Sequence, residues 1–86
     1  MKLTETFVSV DIEASGPVPG EYSMLSLGAC VVGDTDRGHY VELKPISDRS
    51  DPEALAVAGL DPETLKDTGA EPAAAMAGLE AWLKEV

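Results

Sequence analysis

Phe7-Val8-Ser9-Val10-Asp11-Ile12-Glu13-Ala14-Ser15-Gly16 is a β-forming run that ends in two carboxylates and a turn. Val8, Val10 and Ile12 alternate with Phe7, Ser9, Asp11 and Glu13. Period two is the strand period, so Asp11 and Glu13 share one face of a strand. Two strand residues span about 6.6 Å, and side-chain rotation brings the oxygens closer. Two carboxylates converging beside apolar packing repel each other unless a cation lies between them or one is protonated. Hard oxygen donors suit magnesium or manganese. The glycine- and proline-rich run from Gly16 to Gly20 leaves the sheet directly afterwards, and loops at strand ends are where chemistry is often placed.

Eighty-six residues allow one small domain with a marginal core. An apolar fraction of 44% is that of a globular chain. No run of about eighteen apolar residues is present, so no membrane association is expected. Met1 to Thr6 does not read as a secretory leader, because Glu5 interrupts it. The single cysteine, Cys30, rules out an intramolecular disulfide and reads as a reduced core thiol of a cytoplasmic protein. The net charge of −10 argues against a nucleic-acid binder of the basic-face kind. It is compatible with a nuclease, because metals held by acids can meet the phosphate.

Along the chain, a second strand is expected at Ser23 to Val32, with Leu25, Leu27, Ala29 and Val31 on one face and Met24, Ser26, Gly28, Cys30 and Val32 on the other. Neither face is charged, the mark of a central strand covered on both sides. Gly33 to Gly38 reads as a turn, and a third strand from about His39 to Leu43 completes an antiparallel hairpin. Ser50 and Glu53 fit a capping box around Pro52. Asp61-Pro62-Glu63 gives a second helix start, and Glu71-Pro72 a third. Gly59 and Gly69 end the first two helices. Ala75, Met76, Leu79, Trp82, Leu83 and Val86 form an apolar stripe at helical spacing, read as core packing. The expected spans are β1 at about 6–13, β2 at about 23–33, β3 at about 38–44, and helices at about 52–58, 62–67 and 71–86.

Val10-Asp11-Ile12-Glu13-Ala14-Ser15-Gly16 resembles the first motif of the DnaQ-like (DEDDh) 3′-to-5′ exonucleases, of the ribonuclease H-like superfamily. The order of three strands and then helices is similar to the N-terminal part of that α/β fold, and Val57 to Leu65 resembles the segment after its third strand. The resemblance implies that residues 1–86 are the N-terminal portion of a single exonuclease domain. It implies two divalent metal ions, Mg2+ or Mn2+, roughly 3.5–4 Å apart, clamping the scissile phosphate at the 3′ end of single-stranded DNA or RNA. Asp11 and Glu13 match the catalytic, metal-binding acids of the first motif. Ala14 and Ser15 match positions that touch the terminal nucleotide, mostly through backbone, with Ala14 replacing the threonine common there. The acids of the second and third motifs and the histidine base have no counterpart here. His39 precedes the helices, does not match the base, and reads as an edge-strand polar residue. The isolated chain is therefore expected to be inactive.

Two other classes compete. A catalytically incomplete ribonuclease H-like module acting as an acidic protein-interaction domain is favoured by the missing acids and the charge. A glycoside hydrolase needs its carboxylates at a set separation across a sugar, and Phe7, Tyr22, Tyr40 and Trp82 are too few to form a sugar platform. Metal dependence separates the three.

Overall fold

A computed structural model of the chain describes residues 6–86. The reading of a leader-free start therefore lies largely outside the described residues. Three strands, β1 (Val8–Ala14), β2 (Met24–Val31) and β3 (Asp34–Glu42), precede three helices, α1 (Pro52–Ala58), α2 (Pro62–Thr68) and α3 (Pro72–Glu85). The strands form one antiparallel sheet in the order β1-β2-β3, with β2 central as expected, but among the described residues helices cover only one of its two faces.

The third strand begins earlier than the composition of Gly33 to Gly38 implies. Val32 and Gly33 alone make the turn, with Gly33 at a φ of 88° that favours glycine. Asp34 already pairs with Val31, while Cys30 pairs with Gly38, so Thr35, Asp36 and Arg37 bulge out of the ladder. The bulge holds the polar residues that made the stretch look like a turn.

One face of the sheet carries Leu27, Ala29 and Val31 from β2, all buried, and α3 packs over it. Leu27, Leu43 and Ala75 form the centre of the core, with Met24, Val41, Ala70 and Leu79 around it. Burying each large side chain there contributes about 1.5–3 kcal/mol. The apolar stripe of α3 divides. Ala75, Leu79 and Trp82 turn inward, whereas Met76 and Leu83 remain exposed. Cys30 lies on the opposite face and is a half-buried free thiol rather than a core residue.

Each helix starts at a proline, whose fixed φ suits the first turn. Asp51, not Ser50, caps α1: Pro52 occupies the first helical position, and the Asp51 carboxylate accepts from the Glu53 N–H at 3.0 Å. Asp61 caps α2 in the same way. Gly59 ends α1 in the left-handed region, φ 68°. Beyond α2, Ala70 runs beside the end of β3, with Ala70 N–H to Glu42 O at 2.8 Å and Lys44 N–H to Ala70 O at 2.9 Å. This close approach depends on Gly69, where a Cβ would stand 2.5 Å from backbone atoms of Leu43 and Lys44. Gly69→Ala is expected to cost about 1–3 kcal/mol through overpacking. Val57→Ser, at an exposed position, should stay within about 0.5 kcal/mol of the parent. Urea unfolding of the two variants checks both.

Candidate functional site

Strand alternation sorts β1 into two sets of side chains. Val8, Val10 and Ile12 stand opposite Val31, Ala29 and Leu27 and share the helix-covered face with them. Ser9, Asp11 and Glu13 stand opposite Cys30, Gly28 and Ser26 on the open face. The structure thus brings Asp11 and Glu13 together on one face at the end of β1. Asp11 is exposed and Glu13 half-buried. Among the described residues neither carboxylate accepts a side-chain hydrogen bond or an ion pair. As a hard anionic donor pair without a side-chain partner among the described residues, they fit a magnesium or manganese ion. They supply only part of a coordination shell, because no group of three or more such ligands occurs among the described residues.

The turn after the pair is held from inside. Ser15 is 1% exposed. Its hydroxyl accepts from the Ser23 N–H at 2.8 Å and donates to the Arg49 carbonyl at 3.2 Å. Its N–H donates to Ser23 O at 2.8 Å, and its carbonyl accepts from the Asp51 N–H at 2.7 Å. Ser15 therefore has every polar group engaged within the chain, while the half-buried Ala14 stands at the lip of the turn. Gly16 lies against the face of the Tyr22 ring so closely that a Cβ there would enter the ring. The Arg49 guanidinium covers that ring, 5.3 Å from its centroid.

His39 is not brought to the carboxylates. It pairs with Ala29, in the row of Val10, and so lies on the helix face, behind the sheet from Asp11 and Glu13. Its ring stacks on Trp82 with centroids 5.9 Å apart and planes at 28°, and its buried Nε2 has no hydrogen-bond partner among the described residues. Reading it as an edge residue gave its strand position correctly, but the imidazole is packing under α3 rather than solvated.

The open face holds two further residues that alternation alone would have found. Tyr40 stands in one cross-strand row with Gly28 and Asp11, and Glu42 in one row with Ser26 and Glu13. The Tyr40 hydroxyl donates to the Glu42 carboxylate at 2.8 Å. That hydrogen bond, with partial burial and the neighbouring acids adding to it, pushes the phenol above its ordinary value. Elsewhere the cations are engaged: Lys44 with Glu71, Arg49 with Glu21, Lys66 with Asp48 and Glu63, and Lys84 with Glu80. Arg37 donates to the Glu85 carbonyl. No basic residue among these faces the carboxylate pair. Ser15→Ala is expected to cost about 1–3 kcal/mol, because the buried Ser23 N–H loses its acceptor. A denaturant midpoint unchanged from the parent would show that the joint is not held by this hydroxyl.

No family model matches the chain. Over 82 residues it is 48% identical to the 3′-5′ DNA exonuclease Cap18 of Escherichia coli, an alignment covering 95% of this chain and 44% of that protein. The chain thus spans less than half the length of the curated relative it matches. None of the helices among the described residues is long and apolar enough to cross a membrane. Identity at this level across nearly the whole chain agrees with what Val10 to Gly16 and the strand order resemble, and relates the chain to part of a 3′-5′ exonuclease.

Proposed function

We propose that this chain is the N-terminal portion of a DnaQ-like exonuclease domain that removes nucleotides from the 3′ end of single-stranded DNA with two divalent metal ions, Mg2+ or Mn2+. The observation that carries the reading is the pair Asp11 and Glu13 side by side on the open face of β1, within a chain related to a 3′-5′ DNA exonuclease. DNA is preferred to RNA because that relative's name specifies it. Alone, the chain would be inactive, because two carboxylates are half of the acids such a site needs and no general base accompanies them. A cytoplasmic setting accords with the free thiol of Cys30.

In this reading Asp11, the more exposed acid, and Glu13 would hold the ions, with Asp11 the shared ligand that the resemblance implies. Bound there, the ions would supply an activated water and stabilise the leaving 3′ oxygen. Ala14 borders the terminal nucleotide through its backbone. Ser15 contributes by fixing that turn from beneath, since its own polar groups are engaged within the chain. The proton taken from the attacking water must go to a base that residues 6–86 do not provide near the pair, because His39 lies behind the sheet.

The test is exonuclease activity of the gene product at its natural length, on 5′-labelled single-stranded DNA, with magnesium and with chelator. Asp11→Ala should lower the rate by more than the roughly 10–100-fold that loss of an outer-shell metal partner costs, and should weaken manganese binding in calorimetry. Unchanged manganese binding would overturn the metal assignment. His39→Ala should keep the rate within about twofold of the parent, against the roughly 10²–10⁴-fold cost of removing a general base. A fully active Asp11→Ala variant would remove Asp11 from the site, and a parent that degrades no DNA with either metal would leave the acidic interaction module as the standing alternative.

A further inference from the structure

Of the four aromatic residues in the chain, Tyr22 lies beneath Arg49, Trp82 projects from α3 against His39, and Phe7, 67% exposed, precedes β1 at the end away from Glu13. Tyr40 is the one that stands in the cross-strand row of Asp11. It is 61% exposed on the open face that carries Asp11 and Glu13. Between Tyr40 and Asp11 the central strand presents Gly28, which has no side chain to fill the row. A Cβ at Gly28 would meet only the edge of the Tyr40 ring, at 3.7 Å. The result is a shallow depression of about 380 Å³ bordered by Ser9, Asp11, Gly28, Cys30, Thr35 and Tyr40. The ring does not swing freely over it, because its hydroxyl is tied to Glu42 at 2.8 Å. A ring fixed before binding loses little freedom when something stacks on it.

The charges around this depression restrict what enters it. Asp11, Glu13 and Glu42 are acidic, and the cations described above are engaged elsewhere. Among the described residues no basic side chain stands here to grip a polynucleotide's phosphates. Beyond ions held by the carboxylates, what this face offers is a ring for the uncharged face of a base, and aromatic side chains hold single-stranded bases by stacking without regard to sequence. Tyr40 stands two interstrand spacings from Asp11, about 9.6 Å between backbones, within the span of a nucleotide.

We propose that Tyr40 is a substrate-positioning residue that stacks on a nucleobase of the single-stranded DNA end whose phosphate lies at Asp11 and Glu13, with Gly28 leaving room for the strand between them. This inference rests on the exonuclease reading above and adds to it the group that positions the substrate.

The test uses the gene product at its natural length and two readouts. One is anisotropy of a labelled single-stranded oligonucleotide with calcium in place of magnesium; the other is KM and kcat with magnesium. Tyr40→Ala should weaken oligonucleotide binding and raise KM about tenfold, the scale of one lost base–aromatic stack, with kcat barely moved. Tyr40→Phe, which keeps the ring and removes the hydroxyl, should recover most of both values, falling short only by what the tie to Glu42 contributes. Tyr40→Leu, which keeps strand-compatible bulk without a ring, should behave as Tyr40→Ala, and it decides the matter if Tyr40→Ala melts early. Parental affinity in Tyr40→Ala or Tyr40→Leu would overturn the proposal. So would a Tyr40→Phe defect as large as that of Tyr40→Ala. If Asp11→Ala is inactive while Tyr40→Ala matches the parent, this inference alone fails. If the parent degrades no DNA under any metal, the exonuclease reading fails and this inference with it.

Discussion

The hydroxyl of Ser15 joins three parts of the chain that would otherwise be free to move apart. It accepts from the start of β2 at Ser23 and donates to Arg49 in the approach to α1, while the Ser15 carbonyl receives the Asp51 N–H at the cap of that helix. Ser23 extends the joint: its own hydroxyl accepts from the N–H groups of Ile46 and Ser47. Two small buried hydroxyls therefore satisfy backbone donors from the strand start and the loop and a backbone acceptor in the helix approach, in a place where water does not reach. The carboxylate-bearing end of β1 takes its position from this joint. A larger residue at position 15 would separate the three segments, and an apolar one would leave the Ser23 donor unsatisfied.

The sheet itself works as a partition. Its covered face is apolar and supplies the stability, with Leu27, Leu43 and Ala75 at the centre. Its open face is polar and acidic along β1 and holds the candidate chemistry. The partition explains why His39 and the carboxylate pair, close in strand number, have unrelated environments. It also leaves one side of β1 unpaired among the described residues, with Val10 and Ile12 about half exposed on the helix side. An edge of this kind can accept a further strand.

Much of this was legible from residue order. Period two in β1 and the uncharged alternation in β2 placed Asp11 and Glu13 on one face and β2 in the middle, because a strand's side-chain directions follow from the backbone. The proline-led helix starts and Gly59 were equally plain, since each reflects a local torsional preference. What composition could not show was where a loop is absorbed into a ladder. Thr35, Asp36 and Arg37 look like turn residues and are, in effect, turn residues carried within β3 as a bulge. The choice of Asp51 over Ser50 as cap depended on which residue precedes the proline at the first helical position. The depth of Ser15 was hidden as well, because burial of a serine depends on partners 8 and 34 residues away in sequence. Tyr40 and Glu42 became neighbours of the site only through the cross-strand register.

That register has a consequence for which genetic changes the segment tolerates. Single substitutions on β1 alter one side chain and leave the others on their own faces. An inserted or deleted residue between Val8 and Glu13 would instead exchange the two faces. It would carry carboxylates onto the apolar face beside Leu27 and Ala29, and valines onto the acidic surface. The strand should therefore vary in identity over evolutionary time while holding its length fixed, with length changes diverted to the Gly16–Gly20 loop or to the Thr35–Arg37 bulge.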